Sequence, residues 1–304
     1  MSLTFSVITP SYNQGEFIER TIQSVLAQTG VDFEYVVLDG GSVDTTLEIL
    51  NQYQNRLTWV SEPDDGQADA VNKGIQATSG NIIAWINSDD VYYPEALKKV
   101  EQTFLTHPDV QVVYGRANWI GKNDEVLREY PTEVWNYERL KAFCYLCQPA
   151  VFFRRTMVER LGDLDKALRY ALDYELWLRY GQAVDFYYIP EKLAGSRLYS
   201  TNKTIGQSLE ARTEIKTMLS NRLGTIPADW LLGYALVKVE KTFGISRFDC
   251  NQTHRFVSLL IKLSLIELYQ YNPVALVRIA PKMVFWVLFP NRAWFRREEG
   301  LDLS

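Results

Sequence analysis

Cysteine is scarce in this chain and histidine scarcer. Three cysteines, Cys144, Cys147 and Cys250, occur among 304 residues. An odd count without framework spacing argues against a disulfide scaffold. Cys144 and Cys147 form a C-x-x-C pair, but no second pair accompanies it, and the only histidines are His107 and His254. The pattern supports neither a zinc cluster nor a thioredoxin-like turn, so the cysteines read as reduced, half-buried thiols suited to a reducing cytoplasm. Excess positive charge is also missing: 32 Lys and Arg against 37 Asp and Glu leave a net charge of −5. Nucleic-acid binding needs a concentrated basic surface, so a nucleic-acid partner is disfavoured. No apolar run reaches the roughly 18 residues of a spanning helix. Residues 256–268 are broken by Lys262 and Glu267, and the run 283–289 is short. Residues 1–9 lead straight into an expected strand with no signal-peptide pattern. No internal repeat is visible. The turn at 10–15 reads P-S-Y-N-Q-G and lacks G-x-G-x-x-G, which disfavours a dinucleotide-dependent oxidoreductase. It also lacks the glycine-rich, basic loop of a nucleotidyltransferase.

What is present is an ordinary globular composition, 47% hydrophobic and 23% charged. The 8 Trp and 18 Tyr serve a core or the faces of sugars equally well. Hydrophobic periodicity predicts strands over 5–9, 35–38, 57–60 and 82–86, with helices over 17–26, 45–53 and 67–77 between them. Such β-α repeats imply an α/β fold, a mainly parallel central sheet with helices on both faces. Ligands of these sheets bind beyond the carboxyl ends of the strands. Asp39, Glu62, Asp64, Asp65, Asp89 and Asp90 all fall at such ends.

After Pro94 the pattern changes. A helix to about 105, strands at 110–114 and 150–153, a hairpin of 118–120 with 126–130 about Asn123-Asp124, and helices at 172–180 and 207–222 are expected. The expected division is a catalytic domain at 1–222, with a nucleotide-binding half at 1–95 and an acceptor-binding half at 96–222, then a helical region at 223–304. In that last region Arg292, Arg296 and Arg297 stand beside Trp286, Phe289 and Trp294. The appendage packs on the catalytic domain, on itself or on a second copy, or rests on an anionic membrane surface. The expected location is the cytoplasm, with a peripheral place at the inner membrane face left open.

Transfer of a sugar from a nucleoside diphosphate makes definite demands. The leaving diphosphate gains charge, which a divalent cation held by carboxylates stabilises. The acceptor hydroxyl loses a proton to a base on the other face of the sugar. N-S-D-D at 87–90, after a buried strand, supplies acids for the first task, and Asp173 at the start of a helix supplies one for the second. Taken singly, each pattern is as well explained by a solvated turn or a helix cap.

The combination resembles family-2 glycosyltransferases of the GT-A type. Five segments carry the likeness in order: T-P-S-Y-N-Q-G-E-F-I (9–18), D-G-G-S-V-D-T-T (39–46), S-E-P-D-D-G-Q-A-D-A-V-N-K-G (61–74), W-I-N-S-D-D (85–90) and A-L-D-Y-E-L-W-L (171–178). The resemblance implies an inverting, metal-dependent transferase using a nucleoside-diphosphate sugar, with UDP the expected nucleotide and Mn²⁺ or Mg²⁺ the cofactor. It places Thr9, Pro10, Tyr12, Asp39, Glu62, Asp64, Lys73 and Ser88 around the nucleotide, and Asp69, Arg197 and Lys203 toward the sugar and diphosphate. Asp89, with Asp90, holds the metal, and Asp173 is the general base. The implied acceptor is a saccharide or lipid-linked saccharide in bacterial surface polysaccharide or other glycan assembly. Two positions depart from the common pattern: Asn87 replaces the first carboxylate of D-x-D, and Leu172 replaces an acid before the base. Gln148-Pro149 is expected in an acceptor loop. The alternative is a catalytically degenerate sugar-nucleotide-binding or scaffold protein on the same fold.

Overall fold

The computed structural model describes residues 3–199 and 208–290. They form two compact units, one of residues 1–140 with 144–199, the other of 141–143 with 200–304. The division falls after Tyr199, where the sequence reading put it at 222.

The first unit is built on a nine-stranded sheet. Strands β1 (Thr4–Ser11), β2 (Asp32–Asp39), β3 (Thr58–Ser61) and β4 (Ile82–Trp85) alternate with helices α1 (Ile18–Leu26), α2 (Thr46–Gln52) and α3 (Gln67–Ala77). These four strands pair in parallel, in the order β3-β2-β1-β4. β1 and β4 are apolar runs covered on both faces, and β2 is buried over its second half, whereas the edge strand β3 is exposed or half-buried throughout. Phe5, Val7, Val37, Ile82 and Ala84 share one core with Ile18, Ile22 and Val25 of α1. Helix α3 lies close to the sheet because Gly74 has no side chain; a Cβ there would come within 2.4 Å of Ile8 Cγ2.

Beyond β4 the sheet becomes mixed. Strand β5 (Val91–Tyr92) and helix α4 (Ala96–Thr106) lead to a hairpin of β6 (Val112–Ile120) with β7 (Val126–Glu129). Helix α5 (Tyr137–Ala142), β8 (Val151–Arg154), α6 (Arg155–Leu161), α7 (Leu172–Ala183) and β9 (Tyr187–Arg197) follow. Strand β8 runs antiparallel between β4 and β6, whereas β9 pairs in parallel with β6. The separately expected strands at 110–114 and 118–120 are one strand, β6. The register of β6 against β9 shifts around Arg116, and Pro190 lies in the bulged stretch of β9. A bulge tolerates proline because no ladder donor is lost there.

The second unit consists of α8 (Ser208–Leu223), α9 (Ala228–Phe243), α10 (Thr253–Tyr271) and α11 (Pro273–Leu288). Lys216 pairs with Glu267 at 2.9 Å and lies 3.9 Å from the Tyr234 ring centroid, which ties α8, α9 and α10 together. Asn272 accepts from Ala275 N–H to cap α11 and donates to the Ile226 carbonyl.

Candidate active site

The loops after β1 and β2 are each other's partners. Asn13 N–H donates to Ser42 Oγ at 2.7 Å, and Val43 N–H donates back to Asn13 Oδ1 at 2.9 Å. Gln14 N–H reaches Thr46 Oγ1, and Asp44 accepts from both Gly15 and Thr46 N–H groups. Asp39 roots this zipper. It is buried, and its carboxylate accepts from Gly41 N–H, Ser42 N–H, Ser42 Oγ–H and Ser61 Oγ–H. Much of the small polar content of these two motifs therefore builds the rim itself. Thr9 is buried with its hydroxyl 3.2 Å from Tyr35 Oη, and Pro10 is buried behind it. Tyr12, 62% exposed, is the aromatic ring that the rim presents.

After β3 the acids are held by lysines. Lys73 lies between Glu62, at 2.9 Å, and Asp69, at 3.3 Å; Lys166 approaches Asp69 from the other side at 3.1 Å. Burial pushes the Asp69 carboxyl up, but hydrogen bonds from Lys166, the Asp65 N–H and Lys73 outweigh it and leave the group below its ordinary value. Asp64, which accepts from Gly66 N–H, is shifted up, chiefly by burial.

The turn after β4 is fastened from several sides. Asn87 Oδ1 accepts from Gln67 Nε2 at 2.7 Å and Trp85 Nε1 at 3.0 Å, and its Nδ2 donates to Asp90 Oδ2 at 3.3 Å. Ser88 is buried. Asp90 is buried too and accepts the Arg197 N–H at 2.8 Å. Burial first, then the charge of Asp89, raises the Asp90 carboxyl well above the usual carboxylate range despite the neighbouring arginine. Asp90 thus faces the fold, and Asp89 is the half-buried carboxylate of the turn. The Tyr199 hydroxyl donates to Asp89 Oδ2 at 2.9 Å, and its ring lies 4.9 Å from that of Phe17.

Arg197 stands differently from expectation. Its side chain is 0% exposed. The guanidinium donates to the carbonyls of Asp89, Gly121 and Lys122 and to Asp124, over the Phe17 ring. An arginine so enclosed binds the β4 turn to the β6–β7 hairpin rather than reaching toward a diphosphate. Lys203 lies outside the described residues.

Asp173 occupies the first turn of α7, half-buried, with Oδ1 accepting its neighbour Tyr174 N–H at 2.7 Å. Burial pushes its carboxyl up, backbone hydrogen bonds pull it down, and the balance is a rise to about 6. The loop before α7 is fixed at its start. Asn72 of α3 exchanges two hydrogen bonds with the Leu164 backbone, and Arg179 of α7 donates to the carbonyls of Leu161, Gly162 and Asp163 while paired with Glu175 at 2.8 Å. Burial first, then the charges of Asp90 and Asp173, pushes the Cys147 thiol up. Gln148, expected in an acceptor loop, is instead buried and donates to the Trp85 carbonyl at 2.7 Å.

The chemistry of this donor set suits a cation that binds with its substrate. Among the described residues no three His, Cys, Asp or Glu groups converge as a cage. Mg²⁺-like ions commonly use one or two carboxylates and take the remaining oxygens from water and substrate phosphates, which Asp89 fits.

The glycosyl transferase family 2 model matches residues 6–162, the stretch from β1 through α6. The chain belongs to glycosyl transferase family 2. An uncharacterized glycosyltransferase of Rickettsia prowazekii is 28% identical over 212 residues, 66% of this chain and 65% of that protein, so the chain spans just under two thirds of this relative's length. A PGL/p-HBAD biosynthesis glycosyltransferase of Mycobacterium bovis is 28% identical over 183 residues, 58% of this chain and 68% of that one. Among solved structures, S. aureus TarS 1-349 in complex with UDP-GlcNAc aligns with TM-score 0.57 at 18% identity, over 86% of this chain and 80% of its own. The mannosyltransferase PcManGT from Pyrobaculum calidifontis, in complex with GDP-Man and Mn²⁺, aligns with TM-score 0.58 at 17% identity, over 96% and 82%. The fold is therefore of the GT-A type, with a mixed central sheet, flanking helices and a C-terminal set of helices.

Sequence reasoning missed the loop zipper, Tyr199 and the Asn72 clamp on the loop before α7. The zipper had a signal in the paired runs of small polar residues at 11–15 and 42–46. Tyr199 had none.

Proposed function

We propose that this member of the family is an inverting glycosyltransferase that moves one sugar from a nucleoside-diphosphate donor, with UDP the expected nucleotide, to a saccharide or lipid-linked saccharide. The observation that carries the reading is the half-buried Asp173 at the head of α7, raised to about 6 by burial. A carboxylate of that basicity is a stronger base than an ordinary aspartate and is still ionised at neutral pH. In this reading Asp173 takes the proton of the acceptor hydroxyl as its oxygen bonds to the anomeric carbon and the bond to the diphosphate breaks. Asp89 would hold Mn²⁺ or Mg²⁺, which when bound supplies positive charge to the leaving diphosphate. Tyr12 and the loops rooted on Asp39 would line the nucleoside side, and Lys73 would stand near the phosphates. Relatives' structures with UDP-GlcNAc, with GDP-Man and Mn²⁺, and with Mn²⁺ and UDP support the donor class and the metal. The product would enter glycan assembly such as a bacterial surface polysaccharide.

Calorimetric titration of UDP and of GDP, each with Mn²⁺ and with EDTA, tests the donor and metal. One nucleotide is expected to bind in a Mn²⁺-dependent manner, and Asp89→Ala to lose that dependence. Asp173→Asn is expected to bind the nucleotide as the parent does but to transfer sugar about 10²–10⁴-fold more slowly. Absence of nucleotide binding under every condition would favour the scaffold reading.

A further inference from the structure

The most exposed apolar surface of the second unit lies on its last helix. Helix α11 packs inward through Ala275, Ile279, Met283 and Trp286. At about 100° per residue, Val274, Val277, Pro281, Val284, Phe285 and Leu288 fall on an arc about 100° wide, opposite that buried stripe. Val274 and Val277 are 83% and 84% exposed, and Val284, Phe285 and Leu288 are exposed as well. A water-facing helix ordinarily carries charge there. Arg278 and Lys282 border the arc along one side, both exposed. Tyr269, at the end of α10, is 76% exposed.

The charge of this segment departs from that of the chain. Helix α11 contains Arg278 and Lys282 and no Asp or Glu, within a protein of net charge −5; Arg292, Arg296 and Arg297 follow it, ahead of Glu298 and Glu299. Residues 273–297 hold Phe285, Trp286, Phe289, Trp294 and Phe295. An apolar face bordered by basic residues and rich in aromatics is the composition of a helix that lies in a lipid interface. No described helix is long and apolar enough to cross a membrane, so such a helix would rest on the surface.

We propose that α11 docks on an anionic lipid surface, with the Val274–Leu288 arc entering the acyl boundary and Arg278 and Lys282 at the phosphate headgroups. Charge selects lipid over a second copy of the chain. A symmetric pair of these faces would close two basic borders on each other, and helix α11 itself has no carboxylate to neutralise them. A layer of phosphates neutralises both. The inference stands on the helical unit and is independent of the proposed transfer chemistry.

Sedimentation of the full chain with vesicles tests it, using phosphatidylcholine alone and phosphatidylcholine mixed with phosphatidylglycerol. The protein is expected to pellet with the mixed vesicles at low ionic strength and to be partly released by salt. Replacing Arg278 and Lys282 together by Gln should weaken vesicle binding about thirtyfold, at the usual contribution of a basic residue near such a surface. Val277→Asp with Val284→Asp should abolish binding at either ionic strength while leaving the thermal melt of these exposed positions unchanged. Parent protein that stays in solution with both vesicles overturns the proposal. So does a Val277→Asp, Val284→Asp protein that pellets as the parent does. A parent dimer that these two substitutions convert to monomer, without vesicle binding, assigns the face to a second copy instead.

Discussion

At the scale of the residue, Asn87 is a consequence of Asp90. The buried Asp90 carboxylate accepts the Asn87 amide at 3.3 Å, a hydrogen that an aspartate at 87 could not supply. Asn87→Asp would remove that donor and set a second acidic group beside Asp90, whose carboxyl is already raised well above its ordinary value, so restoring the familiar acid should weaken the metal-free fold rather than improve it. A loss of about 1–3 kcal/mol is expected in urea unfolding at neutral pH. Asp173 gives a second expectation. Its carboxyl rises in the folded state from 3.8 to about 6. Between those values the folded chain holds a proton that the unfolded chain has released, so this group's contribution to stability falls as pH rises through the window. Asp173→Asn should therefore gain stability relative to the parent on going from acid to neutral pH, on the order of 1–3 kcal/mol. The parent's kcat/KM should rise with pH through about 6 and then level off, as the base ionises. A flat profile, or a variant whose stability tracks the parent's at every pH, would remove Asp173 from the role of base. The position of Asp173 in a helical first turn was legible from the leucine stripe behind it. Its basicity was not, because that comes from residues distant in sequence that exclude water from it.

At the scale of the element, the start of the loop before α7 is held jointly by Asn72 of α3 and by Arg179 of α7, the helix that Asp173 opens. Asn72→Ala would leave the Leu164 N–H and carbonyl without these partners, a cost of about 1–3 kcal/mol. The expected kinetic signature is a fall in kcat with the nucleotide's binding constant nearly unchanged, since the loops rooted on Asp39 do not depend on Asn72. Equal losses in both would mean that the clamp serves the nucleotide side as well. The first four strands and three helices were readable because each parallel strand is a short apolar run ended by polar residues, with helical periodicity between. Strand β9 escaped because Pro190 and Gly195 interrupt its pattern, and β5 has only two residues. The division of β6 into two expected strands has a physical cause in Gly115. A Cβ there would lie 2.6 Å from Leu193 Cδ1, so the close approach of β9 requires a glycine where the sequence suggested a break. The same long-range pairing encloses Arg197, whose burial no local pattern announced.

At the scale of the whole molecule, the two carboxylates central to the proposed reaction come from different parts of the chain. Asp89 follows β4, within the part that carries the nucleotide motifs, whereas Asp173 opens α7, between β8 and β9. The buried Cys147 thiol feels the charge of Asp173 and of Asp90, the neighbour of Asp89, and both push it up. The proposed reaction requires that a donor held by its diphosphate at Asp89 present the far face of its sugar to Asp173. A base so placed deprotonates a hydroxyl attacking opposite the leaving group, and displacement from that side turns the anomeric centre over. Retention would instead need two displacements through a carboxylate bonded to the sugar, or attack from the leaving group's own face. The product is therefore expected to carry the anomeric configuration opposite to that of the donor, as read from the coupling of its anomeric proton in an NMR spectrum. An α-linked donor giving an α-linked product would refute the single displacement, even if Asp173→Asn were inactive, because that loss alone does not tell a base from a nucleophile.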